Sequence, residues 1–180
     1  MSEPEEIVWQ GRFITAKRRG KWEYVARARG IRAAVIVAID AEDHVLLVEQ
    51  YRVPLGCACI ELPAGLIGDH DEGEAVEVAA ARELEEETGY RAGRIEVVDE
   101  FFSSPGMVSE SYTLLTAHDI RHVGPGGGLD GEDITVHRVP RAGLAGFIAA
   151  RRAKGDAIDG KLLLLLGAQI LGTGILGETE

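Results

Sequence analysis

The chain has 180 residues, enough for one domain with a core of its own. Its formal net charge of −11 argues against a nucleic-acid backbone or an anionic membrane as the main partner. With 46% hydrophobic and 27% charged residues, the composition is that of a soluble globular protein.

The first segment, MSEPEEIVWQ, is acidic and lacks the apolar centre of a secretory leader. IVWQGRFITAKRRGKWEYVARARG reads as two extended stretches turning near RRGK. IRAAVIVAID is a continuous apolar run, as in a strand buried on both faces, and AED turns it into a second strand, HVLLVEQYRV. CACIELPAG is a short strand ending at Pro63 and Gly65. Its two cysteines, Cys57 and Cys59, share one face and have the wrong geometry to bond each other or complete a zinc site. They read as small core residues in a reducing cytoplasm. GDHDEGE is a polar loop. Residues 74–88 are strong helix formers with no breaker, and Gly89 stands in the C-cap position.

RIEVVDEFFSS and SYTLLTAHDI alternate like strands, separated by PGMVSE. GPGGGLDGED is glycine-rich, too flexible for a packed element and suited to a mobile functional loop. ITVHRVP is another strand, and LAGFIAARRAKG is a helix. KLLLLLGAQILG is too short to span a bilayer and reads as a buried helix. Strands with interleaved helices predict an α/β fold, with a mixed sheet covered on both sides.

The acid is concentrated: residues 69–87 hold nine acids against one base, Arg82, which suggests a cation site. On a helix at about 100° per residue, Glu83, Glu86 and Glu87 share an arc of roughly 100°, while Glu85 points the other way. Repulsion at such spacing costs only about 0.2–0.5 kcal/mol per pair on an exposed helix, so a solvated face is physically possible. Oxygen clusters of this kind also suit hard cations such as Mg²⁺ or Mn²⁺, which bind substrate phosphates as well.

The spacing carries more than the charge. From Gly68 the chain reads glycine, five residues, Glu74, seven residues, then RELEEETGY. This resembles the Nudix box, G-x5-E-x7-R-E-U-x-E-E-x-G-U with U aliphatic, at every position but the last, where Tyr90 stands. The resemblance runs from about Ile31 to the C-terminus. It implies a Nudix-type α/β/α sandwich over 31–180, with residues 1–30 as an N-terminal β arm of a homodimer. Counted from Gly65 of PAG instead, the gap to Glu74 is three residues longer, which reads as an insertion in GDHDEGE. The resemblance implies Glu83 and Glu87 as chief ligands of Mg²⁺ (or Mn²⁺), with Glu86 beside them and the Ala64 carbonyl as another ligand. Glu74 would bond toward Arg82, and Arg82 would serve catalysis by orienting a glutamate.

Nudix enzymes cleave a diphosphate linked to another moiety. Pro105, sixteen residues after Gly89 and within SPG, resembles the mark of the ADP-ribose pyrophosphatase branch, with Gly106 and Glu110 following. In that branch the N-terminal arm packs across a homodimer and stacks on adenine. GRF and KWEYVAR resemble those segments, which implies Trp22 as a stacking residue, with Phe13 a second candidate. Arg27 and Arg52 would contact phosphate or ribose. Ordinary alternatives are a core or interface aromatic for Trp22 and a surface salt bridge for Arg52. GLDGEDITVHRV resembles the mobile loop that brings an acid over the metals. Glu132 would bind metal or act as general base, with Asp130 the alternate base. The expected reaction is ADP-ribose to AMP and ribose 5-phosphate. Rivals are another nucleotide sugar such as GDP-mannose, an oxidised nucleoside diphosphate, or a sensor that binds without cleaving.

Overall fold

The computed structural model describes residues 3–28, 32–67, 74–129 and 131–171. The N-terminal stretch forms three strands rather than two, β1 (Glu5–Gln10), β2 (Ile14–Arg19) and β3 (Trp22–Arg27). They make an antiparallel sheet of their own, with a break in register between Ile7 and Trp9. Gly11 and the residues that follow turn the chain between β1 and β2, a reversal that the apolar pattern did not reveal. Every residue of β1 is exposed.

Next come β4 (Arg32–Ala38), β5 (His44–Arg52), β6 (Cys57–Glu61), β7 (Ala64–Ile67) and α1 (Val76–Thr88). Short β8 (Tyr90–Arg91) leads to β9 (Arg94–Phe102), β10 (Ser111–His118) and β11 (Arg121–His122). The chain ends in β12 (Thr135–Pro140), α2 (Leu144–Ala153), β13 (Ala157–Ile158), a 3-10 turn at Gly160–Leu162, and α3 (Leu163–Leu171). The fold is mixed α/β, as expected, but the mixed pairing is divided between two sheets. The first runs β7-β4-β10-β9 with β4 and β10 parallel. The second runs β12-β5-β6-β13 with β6 and β13 parallel.

Side-chain alternation along the strands builds two cores. Ala34, Ile36 and Ala38 of β4, with Leu115 and Ala117 of β10, pack under Ala79, Ala80 and Leu84 of α1. Their neighbours Val35 and Leu114 face the other way, onto Val45, Leu47, Ile60 and the α2 residues Leu144 and Ile148. Strand β4 is therefore buried on both faces, which explains its unbroken apolar run.

The last apolar segment corrects its sequence reading. Leu162 and Leu166 are buried, but Leu163 and Leu164 remain over half exposed. Five consecutive leucines pass more than once round a helix, and only one stripe meets the core. Among the described residues no helix is long and apolar enough to cross a membrane. Both cysteines are free; Cys59 is buried and Cys57 half-buried.

Candidate active site

Helix α1 begins at Val76, two residues later than its propensities suggest, because Ala75 is its N-cap and Glu74 stands outside. Its inner face is apolar, and its last turns carry the carboxylates. Glu87 is buried, Glu83 and Glu86 are half-buried. Glu85 points away and pairs with Arg91 at 2.7 Å. The azimuths inferred from 100° per residue therefore match the observed split.

Each carboxylate holds a protein partner. Arg82 Nη1 lies 3.0 Å from Glu83 Oε1 and 3.1 Å from Glu86 Oε2, and Nη2 lies 3.7 Å from Glu74. The Ala64 N–H donates to Glu87 Oε2 at 3.0 Å. The Leu129 N–H donates to Glu132 Oε2 at 2.8 Å. Consequently, among the described residues, no three acidic, histidine or cysteine side chains converge closely enough to hold an ion as they stand.

The electrostatics nevertheless suit a cation. Burial pushes the Glu87 carboxyl up to about 8, with Glu83 and Glu132 adding repulsion against the Ala64 hydrogen bond. Burial likewise raises Glu83, opposed by Arg82. The negative end of the α1 dipole falls on the same turns, and no basic residue occupies the last turn. Oxygen donors of this charge fit a hard divalent cation, which would remove both burdens.

Backbone geometry supplies two further elements. Ile36 N–H donates to Pro63 O, so the next pair, Val35 and Ala64, is a non-bonded one in the β4–β7 ladder. The N–H and carbonyl of Ala64 thus both face away from β4, on the side where Glu87 lies. Gly65 then lets Glu83 lie flat on the strand: a Cβ there would stand 2.0 Å from Glu83 Cδ. Gly68, the glycine that completes the box spacing, lies outside the described residues, as does the rest of the inserted loop GDHDEGE up to Gly73.

The glycine-rich loop departs from its sequence reading. Its first half is packed, not free. Val123 and Gly124 donate to Gly89 O, Gly127 to Glu87 O at 2.8 Å, and Gly128 to Glu86 O at 3.0 Å. These amides satisfy the final carbonyls of α1, which would otherwise be orphaned. Gly89 has φ 74°, and a Cβ on it would stand 2.0 Å from Gly124 O. Glycines here permit close approach of two backbones. The loop continues to Glu132, whose carbonyl accepts from Gln50 Nε2 at 3.1 Å. Asp130 lies outside the described residues.

Glu83, Glu86, Glu87 and Glu132 line one cavity of about 600 Å³, together with Arg27 and Arg52. Arg82, Ala64 and Glu110 border it as well. Arg27 bonds Glu110 at 2.7 Å, across 83 residues of sequence. Arg52 bonds Glu61 through two nitrogens, at 2.5 and 2.9 Å. Glu61 is buried and was missed by sequence reasoning; a lone acid in the apolar run CACIEL was the signal available. Gln50, Tyr112 and Lys161 of the same cavity were also missed. Trp22, Pro105 and Gly106 do not join them. They line a separate hollow of about 510 Å³ beside β3, where Val25 pairs with the 105–109 turn. Trp22 and Phe13 are both over 60% exposed, so neither is a core aromatic.

The model of the NUDIX domain matches residues 29–137, which is more than half of the chain. The chain belongs to the Nudix family. It is 34% identical over 146 residues to the GDP-mannose pyrophosphatase of Salmonella paratyphi B, covering 77% of this chain and 72% of that protein. It is 36% identical over 88 residues to the ADP-ribose pyrophosphatase of Bacillus subtilis, covering 49% and 46%. A crystal structure of an ADP compounds hydrolase superposes with TM-score 0.71 at 25% identity, covering 97% of this chain and 95% of that one. The chain spans about half the length of the first curated relatives it matches, 56% and 53%.

Proposed function

We propose that the protein is a metal-dependent hydrolase of the diphosphate in nucleoside diphosphate sugars, with ADP-ribose, cleaved to AMP and ribose 5-phosphate, as its first substrate. The observation that carries this is the meeting of six carboxylates, Glu83, Glu86, Glu87 and Glu132 among them, with three arginines in one cavity large enough for such a ligand. Glu83, Glu86, Glu87 and the Ala64 carbonyl are the proposed ligands of Mg²⁺, with Mn²⁺ the alternative. A bound divalent cation would neutralise the diphosphate and lower the pKa of attacking water. Without one, the carboxylates would repel an anionic substrate.

The chain's own groups do the rest. Arg52 and Arg27, held rigid by Glu61 and Glu110, present guanidinium forks suited to phosphate oxygens. Arg82 positions Glu83 and Glu86. Glu132 accepts the proton of the attacking water after leaving the Leu129 amide; Asp130 is the alternate base. GDP-mannose is the second reading, favoured by the longer alignment to its pyrophosphatase. A reducing compartment, the cytoplasm, suits the two free cysteines.

We assign a homodimer through the N-terminal sheet. Its outer strand is wholly exposed, and Ile7, Val8, Trp9, Phe13 and Trp22 lie open. A partner covering this face would also bring its arm to the Trp22 hollow. Sedimentation at the mass of one 19.4 kDa chain would overturn the dimer.

A panel of ADP-ribose, GDP-mannose, an oxidised nucleoside diphosphate and other nucleotide sugars, with Mg²⁺ or Mn²⁺, tests the reaction. AMP release from ADP-ribose is expected, with Glu87→Gln losing most of it and Glu85→Gln as control. Full activity in Glu87→Gln would refute the ligand assignment. No product from any substrate would favour a sensor.

A further inference from the structure

The carboxylate cavity adjoins a second cavity of about 600 Å³, and the two share Ser103, Tyr112 and Lys161. The second is bordered by the 3-10 turn Gly160–Leu162 and the start of α3, far along the chain from α1. The shared residues differ in kind from the carboxylate floor. One is an aromatic ring, one a hydroxyl and one a cation.

Lys161 is held in place. Asp159 caps the turn by accepting from the Lys161 N–H at 2.7 Å, and its other oxygen takes the ammonium at 2.6 Å. Asp159 itself is tied to β6 through Ile60 O at 3.0 Å, and the next residue, Leu162, is fully buried. The ammonium lies 5.7 Å above the ring of Tyr112. An ammonium has three donors. Asp159 takes one and the Tyr112 face attracts another, which leaves a donor for the cavity. Ser103 is exposed and can both donate and accept.

Phe101 stacks on Tyr112 with ring centroids 5.9 Å apart, so the shared wall offers a sugar ring polar partners rather than a stacking face: a fixed ammonium, a carboxylate and a hydroxyl for its hydroxyl groups. Trp22, the larger open aromatic surface, lies in the separate hollow and suits a planar base better, while exposed Phe102 borders both that hollow and the second cavity. We propose that Lys161, held by Asp159, forms with Tyr112 and Ser103 a subsite for a phosphate-linked sugar ring beside the diphosphate. This rests on the reaction proposed above. Such substrates carry two sugar rings, the nucleoside ribose and the terminal sugar, and both have the chemistry required.

The test is calorimetric titration of the Mg²⁺-loaded full chain with AMP and, separately, with ribose 5-phosphate. This needs no turnover. Lys161→Met should weaken one of the two ligands by about tenfold or more, the loss expected for a charge-assisted hydrogen bond, and leave the other unchanged. The ligand that weakens identifies the ring. Ser103→Ala should weaken the same ligand by a smaller factor, and Lys161→Arg should restore part of the loss. Unchanged binding of both ligands would overturn the subsite. So would equal weakening of both with altered Mg²⁺ affinity, since that would mean general distortion. If the wild type binds the sugar phosphate through Lys161 yet hydrolyses nothing in the substrate panel, the reaction fails and the subsite stands.

Discussion

Replacing Gly65 by alanine tests whether the backbone of β7 and the Glu83 side chain form one unit. The added Cβ would stand 2.0 Å from Glu83 Cδ, 2.2 Å from Cγ and 2.4 Å from Oε2. To reach ordinary contact at 3.4 Å, Glu83 must retreat by about 1.4 Å. Backbone strain plays no part, since Gly65 is in a strand at ordinary φ. The obstacle is a flexible side chain and not a packed core, so the stability cost should fall at the low end for overpacking, about 1 kcal/mol. The functional cost should be far larger. A displacement of about 1 Å in a positioning group can reduce rate on the order of 100-fold. The assay is kcat/KM with Mg²⁺ titration, beside a thermal melt. Gly146→Ala in α2, where a Cβ meets nothing within 4 Å, is the control and should keep full activity. Refutation would be a Gly65→Ala protein with unchanged kcat/KM and unchanged Mg²⁺ requirement. A melt lowered as steeply as the activity would point instead to damage of the fold.

Three further outcomes follow from the charges. Burial pushes Glu87 up to about 8, so between its ordinary value of 4.5 and that value the folded chain retains a proton that the unfolded chain releases. In chelator-treated protein this group therefore lowers stability as pH rises across that window, with no further change above it. Melts of wild type and Glu87→Gln from about pH 5 to 9 should diverge in favour of the variant with rising pH; parallel curves would refute the shift. Divalent-cation affinity of the wild type should rise over the same window, because the ion must displace that proton. Separately, Arg52→Met strands the buried Glu61 carboxylate. The guanidinium is itself partly open to water, so the expected loss is about 1–3 kcal/mol in a urea denaturation. Adding Glu61→Gln should restore stability but not activity, and an unchanged midpoint in the single variant would show that the pair is merely superficial.

The sequence by itself determined the local features. Helical periodicity separated Glu83, Glu86 and Glu87 from Glu85, because angle per residue is a property of the helix alone. The unbroken apolar run of β4 announced a strand covered on both faces. The box spacing announced the family. Tertiary structure decided whatever depends on partners distant in the chain. Strand β7 was not visible in the sequence because its four residues form a strand only by pairing with β4. Gly126 looked like freedom, yet it serves contact, since a Cβ there would stand 2.4 Å from the Thr88 carbonyl carbon at the end of α1. Arg52 and Arg27 looked alike as cations, and only folding gave them Glu61 and Glu110. Lys161 had no local mark at all; burial of Leu162 and the cap by Asp159 carry it to the cavity. Periodicity and spacing are properties of neighbours in sequence, whereas burial and pairing belong to neighbours in space.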